Sequence, residues 1–170
     1  MRPRQPLPRL WLMTDERQGE RLWTALERLP RGSGVVFRHY EVVDRRALYA
    51  RVRAIARRRR LVLVVAGAER LRGADGVHNV RGRGLRTGAA HDLPELKRRE
   101  REGADLVFVS PVFATRSHPG ASALRPVRFG LLARQARVPV IALGGMRAER
   151  FRRMKQLGAY GWAAIDAWST

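Results

Sequence analysis

The sequence predicts an α/β fold, a trimmed (β/α)8 barrel of TIM type lacking one or two outer helices, on three observations. Eight short β-rich segments alternate with stretches of helical period. Several of the β segments are nearly continuous apolar runs, as strands covered on both faces require. A Gly-Ala cadence recurs at RGADGVH (72–78), EGADLVF (102–108) and LGAYGWA (157–163), each time closing a polar stretch and opening a β-rich one. Glycine suits the left-handed position after a helix, so each reads as helix, stop, strand.

In order, the strands are LWLMT (10–14), GVVFR (34–38), LVLVVAG (61–67), GVHNV (76–80), GLRTGA (84–89), DLVFVSPV (105–112), PVIALGG (139–145) and YGWAAIDA (160–167). The first helix, 18–29, carries Leu22, Leu26 and Leu29 on one side. The second, 45–58, carries Leu48, Val52, Ile55 and Ala56. Later helices are expected over 92–102, 127–136 and 148–157, the last with Phe151, Met154 and Leu157 at helical spacing. These apolar residues read as core stripes. Barrels of this kind typically need about 250 residues, and the shortfall can be located. Only RGR separates strands four and five, AERLR (68–72) allows about one turn, and no eighth helix is expected after the last strand. An open doubly wound sheet is the alternative if the strand count is off. Residues 1–9 form an N-terminal extension and 10–170 one domain.

Composition bounds the function. With 45% hydrophobic residues the chain is globular, and no run approaches the ~18 apolar residues of a membrane helix. The opening MRPRQPLPRLWLM lacks the apolar core of a secretory signal. Without cysteine there is no disulfide, thiolate metal site or thiol nucleophile, and a cytoplasmic protein is the expectation. The net charge of +20 would attract nucleic acid or an acidic surface. Arginine is spread along the whole chain, however, with RRRR (57–60) its one dense run, so composition bias is favoured over a nucleic-acid code. RRRR precedes strand three and belongs at the barrel's bottom face, where cations suit a helix C-terminus. A flank lacking helices could be covered by a second copy of the chain.

Motifs at the strand ends carry the chemistry. DLVFV (105–109) runs into SPVFATRSHPG (110–120), where hydroxyls, a guanidinium and an imidazole stand between prolines. This is either a surface turn or a loop that holds an anion. Gly144 and Gly145 follow strand seven, where barrel phosphate sites draw on backbone N–H groups; the alternative is a tight turn. His91-Asp92-Leu93-Pro94 reads as a helix entry capped by Asp92. His78 ends strand four as a packed or hydrogen-bonded histidine, and His39 has no evident role.

LWLMTDE (10–16), GVVFRHY (34–40), RGADGVH, AAHDLPEL (89–96), GADLVFVSPVFATRSHPG (103–120), VPVIALGG (138–145) and GAYGWAAIDA (158–167) occur in the order found in the thiamine phosphate synthase/TenI family. Over about residues 10 to 168 the chain resembles that family. The resemblance implies one of two activities. Synthases of the family join a pyrimidine pyrophosphate to a thiazole phosphate, using Mg²⁺ to stabilise the departing pyrophosphate. TenI-type members tautomerise a thiazole phosphate carboxylate. It implies substrate or phosphate contacts at Arg38, Thr115, His118, Gly144, Gly145 and Asp166. It also gives His91 a part in proton transfer, a role that suits an imidazole titrating near working pH.

Departures from the pattern bear on which activity is kept. His39 and Tyr40 stand where the family has Glu and Lys, and Ala66-Gly67 replaces Asn-Asp. No Asp follows GVH within 79–85, His118 replaces Lys, and Asp166 replaces a Ser beside the phosphate. Mg²⁺ needs hard oxygen ligands, so no metal residues are assigned, and the ion is expected only if synthase activity is retained. A carboxylate at 166 needs an offsetting cation, for which Arg147 is nearest in sequence. A TenI-like thiazole-phosphate binder or tautomerase with a degenerate synthase site is the leading expectation. The alternatives are an active synthase, with Asp166 as a substitute ligand, and an inactive basic barrel that binds nucleic acid or a protein.

Overall fold

The computed structural model describes residues 6–114 and 122–168. Eight parallel strands close into a barrel in chain order: β1 (Leu10–Met13), β2 (Gly34–Phe37), β3 (Val62–Ala66), β4 (Gly76–His78), β5 (Leu85–Ala90), β6 (Leu106–Val109), β7 (Val140–Leu143) and β8 (Gly161–Ala164). The ring is completed by β1 pairing with β8, Trp11 opposite Ala163. Five α-helices lie outside: α1 (Arg21–Arg28), α2 (Arg45–Arg59), α3 (Leu93–Arg101), α4 (Arg125–Gln135) and α5 (Ala148–Gln156). The connections β3–β4 and β4–β5 carry no helix, as the short AERLR and RGR spacers predict. No helix among the described residues is long and apolar enough to cross a membrane.

Strand alternation sorts the side chains into three apolar clusters. Trp11, Met13, Val36, Val64, Leu106, Phe108, Ile141 and Ala163 fill the barrel interior. Leu12, Val35, Phe37 and Leu63 point the other way and pack against Leu22, Leu26, Tyr49 and Val52 of α1 and α2. Val107, Val109 and Val140 likewise meet Leu96, Phe129 and Met154 of α3, α4 and α5. Burial on both faces explains the continuous apolar strands.

The Gly-Ala cadence is a clamp at the barrel base. Gly73, Gly103 and Gly158 all take positive φ, which turns the chain sharply into the next strand. In two copies an aspartate then grips the preceding strand. The Asp75 N–H donates to Leu63 O (2.7 Å) while its Oδ2 accepts from Leu63 N–H (2.8 Å). Asp105 makes the same pair of bonds with Arg86, at 2.7 and 2.9 Å. In the third copy Tyr160 N–H still donates to Val140 O (2.8 Å), but the phenol turns away to Leu7 O.

A parallel crossover ordinarily takes a dozen residues or more, whereas residues 79–84 suffice between β4 and β5. The short β4 explains this: three residues climb only about 10 Å, which is all the chain must descend. The pair keeps regular register, Gly76 with Leu85 through His78 with Thr87, with no splaying. The approach is so close that a Cβ on Gly76 would lie 1.9 Å from Leu85 O.

Three of the four arginines of RRRR have structural roles. Arg58 pairs with Glu27, Arg59 Nη2 donates to Leu29 O (2.9 Å), and Arg60 ends α2 in the left-handed conformation. The run sits at the barrel base, as its place before strand three predicts.

Two substitutions separate close approach from clamp. Gly76→Ala should cost on the order of 3 kcal/mol or prevent folding, because the new methyl meets backbone that cannot yield. Asp75→Ala should cost only about 1 kcal/mol, the net worth of a hydrogen bond. Denaturant unfolding monitored by circular dichroism distinguishes them, and equal losses would contradict the assignment.

Candidate functional site at the barrel mouth

The strand C-termini open at one end, and the polar groups there come from most of the strands. Arg38, just beyond β2, is tied to β1. Its Nε donates to Thr14 O (3.1 Å), its Nη2 lies 3.6 Å from Asp15 Oδ2, and its N–H donates to Thr14 Oγ1 (2.9 Å). That hydroxyl also meets His39 Nδ1 at 2.9 Å, and the imidazole stacks on Phe37. His39 is therefore a buried brace between β1 and β2. Burial lowers the Arg38 pKa, which the Asp15 charge opposes. Burial lowers that of His39 as well.

Deeper in the barrel, His78 is buried with Nδ1 2.9 Å from Thr87 Oγ1 and its ring edge-to-face with Phe108. Desolvation, followed by the charges of Arg38 and Arg99, pushes its pKa down to about 3. The mouth thus has a neutral imidazole in its floor and the Arg38 cation close enough to repel a proton from it.

Over β2 and β3 the mouth is closed by Arg45, from the first turn of α2. Its Nε donates to His39 O, its Nη2 to Ala66 O (2.6 Å) and its Nη1 to Glu69 (3.1 Å). The guanidinium also lies 5.3 Å from the Phe37 ring centroid. Its side chain is only 11% exposed. Gly67 sits beneath this cover, since a Cβ there would come within 3.3 Å of Tyr40 and 3.5 Å of Arg45. Ala66 and Gly67 supply no side-chain oxygen, and Glu69 is already held by Arg45 and Arg46. Among the described residues no group of three or more His, Asp or Glu gathers where a metal ion could be held.

On the β5 rim, Asp92 caps α3 as predicted, its Oδ1 accepting from Glu95 N–H (2.8 Å). Glu95 Oε2 in turn accepts from His91 N–H and lies 2.8 Å from His91 Nδ1. The imidazole is 61% exposed. Its hydrogen bond holds the Glu95 carboxyl below the usual range, against the opposing cost of burial. A donated Nδ1–H leaves Nε2 with the lone pair, so Glu95 both caps the helix and orients the ring.

On the β7 rim, Gly144 and Gly145 have φ of 99° and 59°. A Cβ on Gly144 would lie 2.7 Å from Pro111 Cα, and one on Gly145 2.9 Å from Phe113 Cβ. Phe113 N–H donates to Gly144 O (3.1 Å), and Arg150 donates to Gly145 O while covering the Phe113 ring. The glycines therefore permit tight packing of the β7 turn against the chain leaving β6. Asp166, exposed beyond β8, is set against Arg17 rather than Arg147. Its charge helps raise the Arg17 pKa, behind the larger contribution of the Asp15 hydrogen bond. Thr115 and His118 lie outside the described residues.

Arg38, Asp15 and His78 are thus gathered inside the mouth, while His91, Gly144, Gly145 and Asp166 stand around its rim. Sequence reasoning missed Asp15, Arg45 and Glu95. Glu95 had a local signal, lying three residues after the Asp92 cap. Asp15 is held locally by Arg17 but meets Arg38 from 23 residues away, and Arg45 reaches Ala66 and Glu69 from 21 and 24 residues away.

A closed parallel barrel with a glycine turn after β7 and its polar groups at the strand C-termini defines an α/β-barrel protein of the kind that works at that face. The family of thiamine monophosphate synthase (TMP-TENI) matches residues 10–168, and the chain belongs to this family. It is 32% identical to the Aquifex aeolicus protein named "Putative thiamine-phosphate synthase 2", over 94% of this chain and 97% of that one. It is 35% identical to the thiamine-phosphate synthase of Syntrophomonas wolfei, over 43% of this chain and 35% of the relative. In fold it is similar to a thiamine phosphate pyrophosphorylase from Pyrococcus furiosus, with a TM-score of 0.76, 21% identity, and coverage of 96% of this chain and 87% of that one.

The buried histidines set a pH dependence. An imidazole kept neutral by the fold contributes stability present above its unfolded pKa of 6.5 and lost as pH falls toward the folded value of about 3. His78→Asn should reduce the slope of unfolding free energy against pH by about one proton between roughly pH 6 and pH 4. His39 contributes in the same direction in both proteins. An unchanged slope would show that His78 is not the group resisting protonation.

Proposed function

We propose that this chain is a TenI-like member of the family, binding a thiazole-phosphate-type ligand at the barrel mouth and tautomerising it. Arg45 carries the reading. The β2–β3 side, where the family's synthases hold pyrophosphate, is covered by a guanidinium spent on two carbonyls and Glu69. A second anion arriving there would meet a guanidinium whose donors are already engaged and fixed. The residues present do not fit Mg²⁺ either, since the expected positions lack carboxylates, and no step is assigned to a metal.

The β7–β8 side stays suited to a single phosphate. Among the described residues the Gly145 N–H has no backbone acceptor, so it can serve an anion at the turn. Asp166, beyond β8, lies in the field of Arg17, which is itself paired with Asp15. With the phosphate anchored there, the ring of the ligand lies toward the floor formed by Arg38 and neutral His78. Tautomerisation moves one proton and changes no oxidation level. His91 Nε2 takes that proton from one ring atom and returns it to another, with Glu95 holding the imidazole.

Calorimetric titration should show binding of thiazole phosphate, with none of pyrimidine pyrophosphate plus Mg²⁺. His91→Ala should lower tautomerase turnover by on the order of 10²–10⁴ and leave thiazole phosphate binding intact. Asp92→Ala should instead cost about 1 kcal/mol of stability with little change in rate. Formation of thiamine phosphate at an ordinary enzymatic rate would overturn the proposal. Full turnover by His91→Ala would leave that residue a helix-entry role only.

A further inference from the structure

A cavity of about 740 Å³ lies beside α2, lined by Arg46, Tyr49, Ala50 and Arg53 of that helix and by Arg70, Leu71 and Arg72. It lies between α2 and the β3–β4 connection, which carries no helix. Its size falls in the range of ligand pockets, roughly 300–1,000 Å³. The floor is fixed: Tyr49 is buried, and its hydroxyl donates to Arg72 O (3.2 Å), holding the β3–β4 connection against the helix.

We propose that this groove binds single-stranded nucleic acid without sequence preference, independently of the chemistry at the mouth. Four guanidiniums line it, and only Arg46 has a carboxylate partner among the described residues, Glu69 at 2.8 Å, which it shares with Arg45. Arg53, Arg70 and Arg72 have no carboxylate partner among the described residues. Asp75, the other nearby acid, stands by Tyr49 with Oδ2 occupied by Leu63 N–H. The charges form a row rather than a ring. Arg46 and Arg53 are two turns apart on α2, about 10.5 Å, and Arg57 continues the line about 6 Å further. It reaches the same Gly73 carbonyl as Arg53. A row of cations beside a groove suits a linear polyanion, and the guanidinium fork matches phosphate oxygens. Ala50 and Leu71 offer an apolar surface to a base between those contacts. The +20 net charge adds long-range attraction, which concentrates such a polymer but does not place it.

The test separates placement from net charge. Binding of a fluorescent 20-nucleotide oligo(dT) is measured by anisotropy from 50 to 200 mM salt for three proteins. These are the parent, Arg53→Ser/Arg70→Ser/Arg72→Ser, and the control Arg128→Ser/Arg134→Ser/Arg152→Ser, which removes the same charge from exposed sites on α4 and α5. The groove variant should bind at least about 10-fold more weakly and lose about 2 from the slope of log K against log salt, near 0.7 per phosphate contact. The control should stay within a few-fold of the parent. Arg70→Glu alone, at an exposed position, should reproduce the direction and guards against misfolding of the triple variant. Equal losses in the two triples would reduce the effect to diffuse charge. Equal competition by poly-glutamate would point to acidic protein, and equal competition by a mononucleotide to a small-ligand site. Any of these, or no binding at 50 mM salt, overturns the proposal.

Discussion

Everything at the mouth depends on the ring of eight strands being closed at its base. The closure rests on backbone approaches that leave no room for side chains. A Cβ on Gly34 would enter the Trp11 indole at 2.1 Å, and one on Gly161 would lie 1.9 Å from Arg9 O. Trp11 occupies the space so left, its Nε1 donating to Pro8 O and its ring edge-to-face with Phe108 across the interior. With the base plugged by an indole and the strands only three to six residues long, the interior holds a thin apolar layer. His78, Thr87 and Arg38 follow directly above it. The same shortness lets two connections dispense with helices.

The parts of this architecture legible in sequence were those with a local cause. Apolar runs marked several of the eight strands, the Gly-Ala cadence and glycine-bounded β-rich segments the others, and the spacers RGR and AERLR marked where outer helices are absent. The Asp92 cap and the Gly-Ala cadence also came from neighbours in sequence. The cadence held more than it showed: that its aspartates clamp the preceding strand could not be read locally, because Asp75 and Leu63 are joined only by the barrel's register. The site was legible in outline. Arg38 and His91 stand at strand ends as expected. Arg45 reads in sequence as one more charge in a helix rich in them, yet its contacts reach from α2 to β2 and β3 and decide which half of the mouth stays open.

The arginine excess has a structural reading that composition alone hides. Arg38, Arg45, Arg59, Arg99 and Arg150 each donate to a backbone carbonyl at an element end or loop. A guanidinium offers several donors in a fixed fork and a long apolar stem, so it can satisfy stray carbonyls that a thin barrel leaves at its edges. Glutamates at 27, 69, 95 and 102 then anchor the cations or caps that do this work. These particular arginines are thus held against backbone oxygens or carboxylates, whereas many of the others stand exposed.

That distinction decides where the remaining charge matters. An arginine whose nitrogens are bonded to carbonyls still contributes to the long-range field, but it cannot form the directed contacts that fix a ligand. The β2–β3 side of the mouth is therefore electropositive yet poorly able to grip a pyrophosphate, because Arg45 would have to surrender bonds to His39 O, Ala66 O and Glu69 together. Arg70 and Arg72 face the opposite situation, and Arg53 spends only its Nε on Gly73 O, at 3.4 Å. No helix follows β3 to cover them, while Tyr49 holds the backbone at Arg72 in place. The helix-free connection after β3 thus leaves Arg70 and Arg72 on a fixed wall without a carboxylate partner among the described residues.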